Sequence, residues 1–285
     1  MKFCEECTSF SCQGDRLFGI LARPEVPASV GVVVIVGGPQ YRAGSHRQFV
    51  MLSRVLAANG FAVLRFDYRG MGDSNGSLRN FEDVSGDVGA AIDAFQIEVP
   101  SVKKIALWGL CDAASAALLY LDETSDPRIR GLCLLNPWVR SEASLAKTRV
   151  KHYYIRRLRQ KEFWRKLLGG QVALTALKGL VLNIKLTILA SAVKPIETQR
   201  PFQDRMAGAW KKFDGRVLLL LSGDDYTAKE FVEFTSSNPV WIGAFAKETL
   251  VQHSVAGADH TFSEIRFNSV AEKHTLDFLS DLAIH

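Results

Sequence analysis

Leu107-Trp108-Gly109-Leu110-Cys111-Asp112-Ala113-Ala114-Ser115 is the stretch on which the reading of this chain turns. An apolar run, Lys104 to Trp108, leads into it, and an alanine-rich tract of helical spacing, Ala113 to Leu121, follows. A strand that enters a helix through one sharp turn strains the backbone of the turn residue, and the crowding calls for small neighbours on both sides. Gly109 and Ala113, two positions before and after Cys111, are those neighbours. A thiol at this point feels the positive end of the helix dipole, which favours thiolate, the form that attacks carbonyl carbon. The negative charge of Asp112 opposes that effect. The plain alternative is a compact buried residue on an inert scaffold, because cysteine is often no more than a small hydrophobe.

On either side of this turn the chain alternates. Val30 to Val36, Phe61 to Phe66, Lys104 to Trp108, Gly131 to Leu135 and Arg216 to Leu221 are short, near-continuous apolar runs, as expected of parallel strands buried on both faces. Between them, Phe49 to Asn59 with Gly60 as a stop, Phe81 to Ile97 and Ala113 to Leu121 have helical patterning. Strand and helix in alternation define an α/β fold with a doubly wound sheet. Phe10 to Leu21, alternating around Gly14-Asp15, reads as an antiparallel hairpin opening the chain.

At 285 residues, one domain carrying an insertion is expected. The rhythm breaks between residues 141 and 199, a helical tract without strand signal that reads as a cap inserted over the carboxyl edge of the sheet. Within it, from Ser141 to Lys194, twelve Lys and Arg residues face only Glu142 and Glu162. That segment therefore carries +10 of a chain whose net charge is +5, and the remainder carries −5. A basic cap on an acidic body points to an anionic substrate or partner near the cap, with a solvated helix face as the alternative. Interleaved apolar residues such as Tyr153, Ile155 and Trp164 argue for a cap lining and against nucleic acid. Contact of the cap with a membrane surface ranks below a soluble role, because Lys178 and Lys185 interrupt the longest apolar run, Leu174 to Val193.

The five cysteines, Cys4, Cys7, Cys12, Cys111 and Cys133, are odd in number and lack disulfide-scaffold spacing, which suits a reducing compartment. The first residues lack the charged, apolar and small-residue regions of a signal peptide, so a cytoplasmic location is expected. Cys4-x-x-Cys7 with Cys12 lacks the second ligand pair of a zinc site, and no metal or other cofactor is expected.

A cysteine nucleophile needs a base and an orienting acid, which on such a sheet follow in the order nucleophile, acid, histidine. Ser222-Gly223-Asp224-Asp225-Tyr226-Thr227-Ala228-Lys229-Glu230-Phe231 reads as an acidic loop after a strand, with Asp225 as the acid and Asp224 as runner-up. Among six histidines, His260 combines a late position, a Gly-containing loop after the strand-like Glu248 to Val255, and a helix to follow. An oxyanion is expected to meet the backbone N–H of Asp112 and one from Val36-Gly37-Gly38-Pro39-Gln40-Tyr41, where Gly38 or Gln40 must donate because Pro39 has no N–H. Tyr41, Arg42, Trp138 and Tyr153 are expected to contact substrate. Asp67 and Arg69, in Phe66-Asp67-Tyr68-Arg69-Gly70-Met71-Gly72-Asp73-Ser74, are expected to pair and to support that loop.

These motifs together resemble the α/β-hydrolase superfamily over nearly the whole chain, which implies a mostly parallel sheet with helices on both faces. More narrowly, Gly37 to Arg42, Gly44 to Phe49, Gly109 to Ser115 and Asp259 to Ser263 resemble the exosortase A system-associated hydrolases, type 1. That resemblance implies bacterial exopolysaccharide and protein-sorting loci with acyl carrier and acyl-activating neighbours, hence an acyl thioester or ester substrate, small or carrier-bound. It also supports Asp225 as the acid, although Tyr226 stands where leucine is expected. Cysteine at the turn is similar to dienelactone hydrolases and bile-acid-type acyltransferases, which differ in whether water or an amine attacks the acyl-enzyme. Hydrolysis of an ester or thioester is thus the leading expectation. Acyl transfer to a sugar or amine and a non-catalytic binding protein are the alternatives.

Overall fold

The computed structural model describes residues 1–38, 40–140 and 200–284. The expected cap, 141–199, and with it Tyr153, lie outside the described residues, as does Pro39.

Apolar runs with no polar face can be buried only in the middle of a layered structure, and this is where they lie. Val30–Ile35 (β3), Ala62–Asp67 (β4), Lys104–Leu110 (β5), Ile129–Leu135 (β6) and Arg216–Ser222 (β7) are buried almost throughout. With Phe3–Cys12 (β1), Asp15–Pro24 (β2) and Leu250–Val255 (β8) they form one eight-stranded sheet in the order β1-β2-β4-β3-β5-β6-β7-β8. Only the β1–β2 and β2–β4 pairs are antiparallel. The chain runs from β3 to β4 on one side and crosses back to β5 on the other. That reversal opens a crevice beyond the carboxyl ends of β3 and β5, where open α/β sheets bind ligands.

The helices fill both faces. Gln48–Ala58 (α1) and Ile265–Ile284 (α6) cover one core, packed on Val32, Val34, Trp108 and Leu220. Ser85–Glu98 (α2), Asp112–Thr124 (α3), Phe202–Lys212 (α4) and Tyr226–Ser237 (α5) cover the other, packed on Val33, Ile35, Leu107 and Leu219. Alternate residues of one strand thus enter opposite cores, the period-2 consequence of the pleat.

Three local expectations are corrected. The hairpin turn is formed by Gln13 and Gly14, both at positive φ (50° and 92°), while Asp15 pairs with Cys12 in the ladder. A two-residue turn matching strand twist needs two consecutive left-handed residues, which moves it one place from Gly14-Asp15. The stretch read as an acidic loop ends at Asp224, because the Asp225 carboxylate accepts the N–H groups of Thr227 and Ala228 at 3.1 Å and starts α5. Asp67 and Arg69 do not pair. Asp67 meets the guanidinium and backbone N–H of Arg42, whereas Arg69 turns inward to a bidentate pair with Asp87 of α2 (2.8 and 3.0 Å). Asp87 also accepts the Arg69 backbone N–H at 2.8 Å, so one carboxylate satisfies both the charge and the turn.

Both side chains of the Arg69–Asp87 pair are almost wholly buried. Asp87→Ala should therefore strand a buried cation and an unpaired N–H and cost about 3–5 kcal/mol. Urea unfolding followed by tryptophan fluorescence measures this; a loss under about 1 kcal/mol would show that water reaches the pair.

Candidate active site

Cys111 stands alone between the last residue of β5 and the first of α3, with φ 63° and ψ −124°. Its backbone is held from several sides: its N–H donates to Leu135 O at 2.9 Å, and its C=O accepts from Ala114 N (3.1 Å) and Trp138 N (3.2 Å). A Cβ on Gly109 would lie 2.5 Å from the Ala113 carbonyl carbon, so only glycine lets α3 leave the strand so abruptly. This is the physical content of the small residue at minus two. The thiol is half-buried and free.

Asp225 and His260 come from the ends of neighbouring strands. Asp225 follows β7 and caps α5, and His260 lies in the loop between β8 and α6. The His260 Nδ1 is 2.8 Å from Asp225 Oδ2, and its ring is hydrogen-bonded to Cys111. Nucleophile, imidazole and carboxylate therefore form one continuous chain. Asp224 is exposed and directs its N–H to Ala258 O (3.0 Å), which leaves Asp225 as the carboxylate on the imidazole.

The electrostatics follow from this geometry. The hydrogen bond with Asp225, then that with Cys111, push His260 up to about 10 against the opposing effect of burial. Burial raises the Asp225 carboxyl, but the His260 hydrogen bond and charge and the Thr227 and Ala228 N–H groups outweigh it and hold it below the usual range. The pair is ionised across neutral pH.

Beside Cys111 is a cavity of about 340 Å³. Its floor is Cys111, Asp112, Leu110 and His260, and its walls include Gly37, Gly38, Gln40 and the aromatic rings of Phe49, Phe81 and Trp138. No serine is among these lining residues. The nearby Ser115 is buried in α3, where its hydroxyl donates to Trp138 O at 2.6 Å.

The expected residues divide. Cys111, Asp225 and His260 are brought together, and Gly38, Gln40, Asp112 and Trp138 line the cavity. The Gly38 N–H, however, is taken by the Asp112 carboxylate at 2.9 Å. Tyr41 and Arg42 are not among the described lining residues. Tyr41 is exposed, and Arg42 is ion-paired with Asp67 at the end of β4 and, at 2.5 Å, with Asp73 in the loop after it. The placing of Phe49 and Phe81 on the cavity was not legible from helical periodicity, which marks both only as core-facing.

Asn136 was also missed. It sits after β6 with φ 45°; its amide nitrogen donates to Ser222 Oγ (2.9 Å) and His260 O (3.0 Å), and its oxygen accepts Ser222 N (2.8 Å). One buried amide thereby ties the ends of β6 and β7 to the histidine loop. Its only signal in sequence is an Asn-Pro pair after an apolar strand.

Fold and site together define an α/β hydrolase. The family model described as serine aminopeptidase, S33, matches residues 27–169, half of the chain, and the protein belongs to that family. No curated protein matches in sequence. Similar folds include the Pyrococcus furiosus esterase Pf2001 (15% identity, TM-score 0.65, covering 98% of this chain and 93% of that one). Est1E of Butyrivibrio proteoclasticus, solved with ferulic acid, is 16% identical with a TM-score of 0.64, covering 98% of this chain and 100% of its own. An α/β serine hydrolase without lid from Xanthomonas campestris is 13% identical with a TM-score of 0.58, covering 97% and 94%.

Asp225→Asn removes the first cause of the raised His260 value, so its titration midpoint, followed by ring-nitrogen NMR, should fall towards the ordinary value of about 6.5. Because the folded value is raised, charged His260 contributes stability fully below pH ~6.5 and loses it as pH rises through about 10. The wild type should therefore lose urea stability between those limits, and the Asn variant should lose less. Equal pH dependence in the two proteins would separate His260 from Asp225.

Proposed function

We propose that the protein hydrolyses an ester or thioester bond through Cys111, His260 and Asp225, by way of an acyl-enzyme on the Cys111 sulfur. The observation that carries this reading is the continuous hydrogen-bonded chain from Asp225 Oδ2 through His260 to a thiol held at φ 63° on a strand–helix turn. His260 holds the proton given up by the thiol, the thiolate attacks the carbonyl carbon, and His260 passes that proton to the departing alcohol or thiol. Water then attacks the thioester with His260 as base, and the acid is released. Asp225 holds the ring by its Nδ1–H and stabilises the imidazolium. Cysteine here replaces the serine for which the family is named, and the esterases among the similar folds are consistent with an ester substrate.

The aromatic walls suit a short or planar acyl group, and the +10 charge between Ser141 and Lys194 suits an anionic leaving group such as an acidic acyl carrier protein. The motif resemblance supports exopolysaccharide or exosortase-associated metabolism as the setting of this reaction. No helix among the described residues is long and apolar enough to cross a membrane.

A screen of p-nitrophenyl esters and acyl thioesters of varied chain length tests the reading. Cys111→Ala should reduce kcat on any substrate found by on the order of 10³-fold or more. Mass spectrometry of a tryptic digest after treatment with an acyl-activated ester should place the adduct on Cys111. Turnover or labelling that survives Cys111→Ala would sink the proposal, and products formed only with an added amine or sugar would make the enzyme a transferase.

A further inference from the structure

The Cys111 sulfur and the His260 ring come from distant parts of the chain, one from the turn after β5 and the other from the loop between β8 and α6. The Asp225 carboxylate sets which way the imidazole faces, but a bond to Nδ1 does not by itself fix where the ring sits. The backbone–backbone bonds of the histidine loop fall on Val255, Ala258, Asp259 and Phe262. On the backbone of His260 itself, the hydrogen bond found among the described residues is the one that its carbonyl accepts from Asn136 Nδ2 at 3.0 Å.

Asn136 is wholly buried, and its amide is fully used: one hydrogen goes to Ser222 Oγ (2.9 Å), the other to His260 O, and the oxygen accepts the Ser222 N–H (2.8 Å). Turning the amide over would break all three bonds. Its own N–H donates to Leu220 O at 3.0 Å, so the backbone beneath the amide is pinned to β7. The φ of 45° is one that asparagine adopts and glycine adopts more readily, so the backbone alone does not call for an amide here. The residues on either side hold the nucleophile. Leu135 O accepts the Cys111 N–H (2.9 Å), Trp138 N–H donates to Cys111 O (3.2 Å), and Trp138 O accepts the Ser115 hydroxyl of α3 (2.6 Å). Leu135 to Trp138 thus grips the nucleophile's turn through its main chain and the base's loop through one side chain.

We propose that Asn136 is a positioning residue of the reaction: its carboxamide sets the separation of the Cys111 sulfur and the His260 ring by joining the histidine loop to the segment that holds the nucleophile. The inference rests on the cysteine-hydrolase reading above. Asn136 touches neither the substrate nor the proton in transit. It acts through His260, whose ring must meet the sulfur when the thiol gives up its proton and the leaving group when that proton is passed on. A base displaced by about 1 Å can cost about 10²-fold in rate, and a loop that carries its base on a side-chain contact alone has little to prevent this.

The test follows iodoacetamide alkylation of Cys111 across pH in wild type, Asn136→Gly, Asn136→Asp and, as the reference for a missing base, His260→Ala. Alkylation reads the Cys111–His260 contact through the thiolate and needs no substrate. Asn136→Gly keeps the backbone conformation and removes the amide, so its profile should move towards that of His260→Ala, with alkylation at pH 7 slowed by about tenfold or more. Asn136→Asp, isosteric but with at most one donor, should fall between Gly and wild type, and it decides the question if the Gly variant does not fold. On the best p-nitrophenyl ester of the screen, kcat should fall by about 10–10²-fold with KM within about threefold. An amide that served stability alone would lower the urea midpoint and leave the alkylation profile where it is. That result, in whichever variants fold, overturns the proposal. If His260→Ala itself keeps the wild-type profile, or ester turnover survives Cys111→Ala, the underlying cysteine-hydrolase reading fails instead.

Discussion

Cys111 holds a backbone conformation that L side chains rarely adopt, at a cost of order 1–3 kcal/mol, and a large part of the surrounding structure exists to hold it there. The restraint is distributed. β5 is locked between β3 and β6, the Cys111 N–H is tied to Leu135 at the end of β6, and Trp138 holds its carbonyl. Gly109 removes the one Cβ that would push α3 away from the strand. Strain kept in place by a buried parallel sheet presents a side chain at the mouth of the crevice without the chain having to rearrange when a ligand arrives.

The same economy governs the groups that face it. Asn136 joins the ends of β6 and β7 to the carbonyl of His260, so the imidazole is positioned through its backbone as well as through Asp225. Asp225 is at once the cap of α5 and the partner of His260, and its two N–H donors fix the direction in which its carboxylate points. A loop residue would have to be ordered for each of these tasks. Here the order comes from strand ends already pinned by the sheet.

The cavity is electrostatically uneven. On one side an imidazole and a carboxylate form an ion pair; on the other, the Asp112 carboxyl is buried among backbone donors with one oxygen unpaired. Burial acts oppositely on the two acids because their partners differ. Asp225 meets a cation and two N–H groups, and its charged form wins, whereas Asp112 meets mainly neutral dipoles, and its neutral form gains.

The order of strands and helices, the turn at Cys111 and the late Asp and His were legible in the sequence by itself, because each rests on local physics: apolar period, helix propensity, and the need for small residues beside a strained turn. The α/β class and the strand positions from β3 to β7 followed from those signals within a residue or two. What only the tertiary structure decided are matters of direction between distant segments. Asp225 rather than Asp224 reaches His260 because a helix cap orients it, Arg69 turns to Asp87 instead of Asp67, and Arg42 is spent on Asp67 and Asp73. The occupation of the Gly38 N–H by Asp112 joins residues 74 apart in the chain. A sequence pattern records which face of an element is apolar. It does not record which of several nearby charges a buried donor will choose, since that choice depends on distances set by the packing of the whole sheet.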